Sequence, residues 1–134
     1  MEQQTLVRKQ LKRRVDTPYI SIWKEEGIIN CVFTDNLIIN IETAQHCVNE
    51  RVLFSEGQAY PCLINLRGVK SMNRDAREYL ATEGTHLIKA GAFLTSSALT
   101  KMLGNMFLAI NKPNIPSRLF SNRATAIAWL KKHQ

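Results

Sequence analysis

Cysteine is scarce in this chain. Cys31, Cys47 and Cys62 are too few and too widely spaced for a zinc ribbon, a CxxC redox pair or a disulfide framework. Each lies in an apolar segment, where a free thiol behaves as a small buried hydrophobe, so inert packing is expected of all three. Long apolar runs are also missing. Stretches such as Leu37–Ile39 and Met106–Ile110 fall far short of the ~20 residues that a membrane-spanning helix needs. The N-terminus is charged where a secretory signal would be apolar, and a cytoplasmic location follows as the expectation. Low-complexity sequence is absent, and 45% hydrophobic with 22% charged residues is the usage of a globular domain, unlike that of a disordered or collagenous chain. Catalytic groupings are missing as well: His46, His86 and His133 are scattered, and no carboxylate pair or Ser/His/Asp set can be assembled from the spacing. No catalytic, cofactor-binding or metal-ligating residue is singled out, and the chain is read as a non-enzyme.

What is present suits one core, because 134 residues fall near the common domain size. The net charge of +7 is unevenly placed: Arg8, Lys9, Lys12, Arg13 and Arg14 against Glu2 and Asp16 put +3 in the first sixteen residues. Residues 1–17 read as a basic tail with at most a short helix, a solvated flank in the usual case. Pro18 forces its predecessor toward extended backbone, and residues 18–134 read as one α/β domain. Nothing has an RRM or helix-turn-helix signature, so nucleic acid is not an expected partner.

Two β-rich runs, Tyr19–Trp23 and Ile28–Phe33, flank Lys24, Glu25, Glu26 and Gly27 and predict a β-hairpin, with Trp23 at a sheet edge. Ile41, Ala44, Val48 and Val52 share one side of a helix that Gly57 ends. His46 and Cys47, adjacent on it, point in divergent directions. Tyr60–Leu66 is nearly continuously apolar, as a strand buried on both faces is, and is expected at the sheet centre. After a polar turn a helix begins near Asn73, capped by Asn73 or Ser71 and closed by Gly84. His86–Leu94 reads as a strand whose small residues Ala90, Gly91 and Ala92 admit a close helix. Leu99, Met102, Leu103, Met106, Phe107 and Ile110 then recur at helical steps, predicting one long amphipathic helix packed on the sheet. Pro113 and Pro116 bracket a connection, Arg118–Phe120 forms a last strand, and Ser121 is expected to cap a closing helix with Ile127 and Leu130 inward and Trp129 half-exposed.

Such alternation implies a mostly parallel central sheet with helices packed against it, whose functional surface lies beyond the carboxyl ends of the strands. That rule selects three loops: Arg67–Asn73, Leu94–Ser97 and Phe120–Arg123. Their helix N-termini, carrying Ser96, Ser97, Ser121 and Arg123, are candidate sites for an anion or an acidic partner, and plain capping accounts for the same residues.

The segment Asn65-Leu66-Arg67-Gly68-Val69-Lys70-Ser71-Met72-Asn73-Arg74-Asp75-Ala76 is similar to the strand-loop-helix signature of STAS domains, of which the bacterial anti-sigma factor antagonists are the type members. Element order from Tyr19 to Leu130 agrees with that fold. Gly57-Gln58-Ala59-Tyr60-Pro61, Ala76-Arg77-Glu78-Tyr79 and the stretch from Lys112-Pro113 through Leu119-Phe120 to Ala128-Trp129-Leu130 resemble, more narrowly, a bacterial STAS-like family to which no activity is assigned. In the antagonists the loop carries an acid, a phosphorylatable serine or threonine and a glycine. With Met72 aligned, this chain has Asn73 for the acid, Asp75 for the hydroxyl residue and Ala76 for the glycine, which leaves only Ser71 as a displaced phosphoacceptor. The resemblance implies a protein-interaction module using Arg67, Lys70, Ser71, Asn73, Arg74, Asp75 and Arg77. The competing expectation is a binder of a lipid, nucleotide or other small anionic ligand. Any self-association is expected to be a symmetric homodimer, with Trp23 as its exposed aromatic.

Overall fold

The structure, a computed structural model, describes residues 14–134. Most of the expected basic tail, including its short helix, lies outside the described residues. The end of that segment is not a tail. Arg14–Asp16 form strand β1, antiparallel to β2 (Ile20–Glu25) with Val15 opposite Ile22. The Thr17 hydroxyl shapes the turn between them by accepting from the amides of Tyr19 and Ile20.

Strands β2 and β3 (Ile28–Phe33) form the expected hairpin. Its turn residues Glu26 and Gly27 both have positive φ, 50° and 78°, as the primed turns that match strand twist require. Trp23 is not at an edge, since β1 lies outside it; the ring is half-buried, with the Arg14 guanidinium 4.9 Å from its centroid. From β3 onward the main sheet is parallel, running through β5 (Tyr60–Asn65), β7 (Ile88–Leu94) and β8 (Ser117–Phe120) in the order β1-β2-β3-β5-β7-β8. Strand β5 has parallel neighbours on both sides and buries Pro61, Cys62 and Leu63, as its apolar run predicts. Two short strands, β4 (Leu37–Ile39) and β6 (Val69–Met72), pair in parallel as a separate two-stranded sheet. The second of them occupies what reads in sequence as a polar turn.

Four α-helices complete the fold of the described residues. Helix α1 (Ile41–Ser55) starts at the Asn40 cap and ends where Glu56 and Gly57 turn left-handed. Helix α2 (Arg74–Ala81) starts at the Asn73 cap and passes into a 3-10 turn, Glu83–Thr85. Gly84 therefore lies beyond α2 instead of closing it. Helix α3 (Ala98–Met106) continues into a π-helical turn, Phe107–Asn111, so the expected single helix changes pitch. Leu103 and Phe107 are buried, whereas Leu99, Met102 and Ile110 are 43%, 52% and 64% exposed; the stripe is only in part a core stripe. Helix α4 (Arg123–Lys131) is capped by Asn122, whose side chain accepts from the Thr125 amide, and not by Ser121.

The sheet divides two cores. Ile20, Ile22, Ile29, Cys31, Phe33, Cys62 and Phe93 pack under Ala44, Cys47, Ala76, Leu103 and Phe107 from the first three helices. On the other face α4 presses Ala126 and Leu130 onto Ile28, Leu63, Ala90, Ala92 and Leu94. The larger of these side chains contribute roughly 1.5–3 kcal/mol each when fully buried. Alanines 90 and 92 keep α4 close to the sheet.

Candidate functional site

Strands β3, β5, β7 and β8 run the same way, so the chain leaves them along one edge. Backbone contacts tie these exits together. The Leu66 amide donates to Leu94 O, the Thr95 amide to Phe120 O, and the Leu37 amide to Gly68 O. At Gly68 the strand exits nearly touch: a Cβ there would stand 2.8 Å from Thr34 O and 2.9 Å from Phe33 O. Only glycine fits, and this close approach directs the 67–73 segment alongside β4.

On that segment Arg67, Lys70, Ser71, Asn73, Arg74 and Asp75 are all exposed, and Arg77 is half-buried. Their roles differ. Asn73 Oδ1 accepts from the Ala76 amide and caps α2. Arg74 Nε lies 3.0 Å from Glu78 Oε1 in an open i,i+4 pair, a contact of small energy. Arg77 Nη1 donates to Met72 O at 2.7 Å, pinning the end of β6 to α2. Asp75 sits in the first turn of α2, where the helix dipole favours an acid. Arg67 and Lys70 have no ion pair among the described residues. Ile38, opposite Ser71 in the β4–β6 register, is 58% exposed, and α3, which packs on β6, adds the exposed Leu99 and Met102. Sequence patterning did not mark Ile38, because a three-residue strand is too short to show alternation.

The other two loops are built differently. The amides of Ser96 and Ser97 both donate to Thr100 Oγ1, and Ser97 Oγ accepts from the Thr100 amide in a closed capping box. Ser121 is exposed beside the cap. Arg123 reaches β3 and the end of β2, donating to Asn30 Oδ1 at 3.1 Å and Glu25 Oε2 at 3.2 Å. These amides and this guanidinium are thus already engaged within the protein.

Beneath the first three helices lies a cavity of about 70 Å³ lined by Cys31, Cys47, Val48, Arg51, Ile64, Phe93, Leu103 and Phe107 among others. Burial pushes the Cys31 and Cys47 thiols up to about 12, and Cys62 higher still; the charge of Arg51 draws Cys31 and Cys62 partly back. Arg51 is 4% exposed. In sequence it reads as one more basic residue, yet it continues the buried stripe of Ala44, Cys47 and Val48 at three- and four-residue steps. Among the described residues no group of three His, Cys, Asp or Glu side chains is arranged to hold a metal. Cys62 is fully buried, with its thiol on Tyr60 O, while His86 is exposed. No helix among the described residues is long and apolar enough to cross a membrane.

Comparison with known proteins extends this geometry. No curated protein matches the chain. The crystal structure of an uncharacterised protein of the DUF3478 family with a SpoIIAA-like fold, from Shewanella loihica PV-4, is similar over 87% of this chain and 98% of its own, with a TM-score of 0.58 at 12% identity. That likeness shows the STAS-like fold expected from the 65–76 segment. A protein of unknown function from Arthrobacter sp. FB24 aligns over 81% of this chain and 95% of its own at 20% identity, with a TM-score of 0.31, and carries no argument. The family model described as Domain of unknown function (DUF7793) matches residues 22–134, from within β2 through α4, and the chain belongs to that family.

Proposed function

We propose that this chain is a non-enzymatic, STAS-like regulatory module of the cytoplasm that binds another protein through Arg67, Lys70, Ser71, Asn73, Arg74, Asp75 and Arg77. The observation that carries the reading is the surface of β6 and its neighbours. Unpaired Arg67 and Lys70 precede Ser71, whose register partner Ile38 is 58% exposed. An exposed apolar centre with a charged rim is the make-up of a docking patch, and two free cations favour a partner with an acidic surface. Asp75 holds a fixed negative charge where the similar antagonists carry a phosphorylatable residue, so this binding does not await a kinase. Trp23, the aromatic expected to support a homodimer, lies half-covered by Arg14, and the proposal commits to a different protein as partner.

Arg67→Glu with Lys70→Glu tests this more cleanly than changes at Asn73, whose loss would uncap α2. In affinity purification from native cells, the wild-type chain is expected to recover a stoichiometric partner and the double variant to lose it, with unchanged circular dichroism. Equal recovery by both chains would overturn the proposal.

A further inference from the structure

The cavity under α1–α3 holds a cation that the fold leaves unneutralised. Arg51 is 4% exposed, and a guanidinium keeps its charge at any ordinary pH. Its Nη2 donates to Gly84 O at 3.0 Å. Its Nη1 is buried and has no hydrogen-bond partner in the protein, and among the described residues no carboxylate forms an ion pair with it. Nothing else lining the space is charged. The neighbouring Cys31 and Cys47 thiols are held neutral by burial, and the Thr85 hydroxyl is spent on Thr82 O. A buried cation with an idle donor is costly to keep unless an anion joins it.

We infer that this cavity binds a short-chain monocarboxylate, with the carboxylate on the Arg51 guanidinium and the alkyl tail among Ile64, Phe93, Leu103 and Phe107. Carboxylate is the chemistry that the planar guanidinium fork pairs with best. Size restricts the tail: the cavity's 70 Å³ is about half of the ~150 Å³ apolar cavity that takes up benzene. A nucleotide or a full-length lipid is far too large. Phe107, which lines the space, opens the π-helical turn Phe107–Asn111, and such turns are frequent at functional sites. The inference is independent of the docking face, whose residues line none of this space.

Acetate is the probe, titrated into the full chain with amide NMR and a thermal melt as readouts. The expected result is saturable shifts at Val48, Arg51, Gly84 and Ile88 and a raised melting temperature, with acetamide, the neutral isostere, binding at least tenfold more weakly. Arg51→Met is expected to weaken acetate at least tenfold as well. If that variant does not fold, the acetate and acetamide comparison on the native chain still decides. Absence of saturable shifts at millimolar acetate, equal binding of acetamide, or shifts confined to Arg67, Lys70 and Arg74 would each overturn the inference.

Discussion

Burial dominates the chemistry of single residues in this protein. The three thiols are protonated in the fold because a thiolate would have to exist without water; Cys31 and Cys47 are raised to about 12. Since these values lie above the unfolded value of 9.0, the unfolded chain gives up its thiol protons first. The stability they confer is whole below about pH 9 and is lost as pH rises toward 12. Iodoacetamide near neutral pH should therefore label none of the three in the native protein and all three in urea, and the urea midpoint should fall as pH climbs above 9. Capping gives a second residue-level prediction. Asn73→Ala and Asn122→Ala should each cost about 1 kcal/mol in denaturant melts, while Ser121→Ala should cost almost nothing, because Asn122 and not Ser121 receives the Thr125 amide. Sequence alone made these two sites hard to separate, since adjacent Ser and Asn are both good caps and only the backbone path selects one.

At the scale of elements, the parts legible in the sequence are those with length. The β2–β3 hairpin, β5 and α1 carry enough periodicity or β-branched density to declare themselves, and the small residues of β7 announced the closeness of α4. Strands β1, β4 and β6 did not, each having three or four residues with a single inward side chain or two, as at Val15, Ile39, Val69 and Met72. The pitch change after Met106 was equally invisible, because the apolar steps of the sequence fit an uninterrupted helix. Gly68 is where the short elements meet the main sheet. Gly68→Ala pushes a methyl into the carbonyls of Phe33 and Thr34, backbone atoms that cannot swing aside. A loss of about 1–3 kcal/mol is expected, read as a lowered urea midpoint, and the hydrogen bond from the Leu37 amide to Gly68 O should exchange faster.

Across the whole molecule two surfaces compete for functional meaning, one outside and one inside. The outer face was foreshadowed by the 65–76 segment and by the rule that function gathers at strand carboxyl ends; Ile38 and Met102 had to come from the structure, because exposure is a tertiary property. The inner one was not foreshadowed, since Arg51 reads in sequence as one more basic residue of a net-positive chain. In the absence of ligand, Arg51→Met should leave stability unchanged or raise it by about 1 kcal/mol or more, as removal of a poorly compensated buried charge often does, checked by chemical denaturation. The central claim, that the 67–77 face is the docking surface, is tested most directly by placing a photo-crosslinking amino acid at Lys70 in one chain and at Ala128, exposed on α4, in another, and irradiating each in its native cells. A discrete, stoichiometric protein adduct is expected from position 70 and none from position 128; adducts from position 128 alone, or the same adducts from both, would contradict the claim.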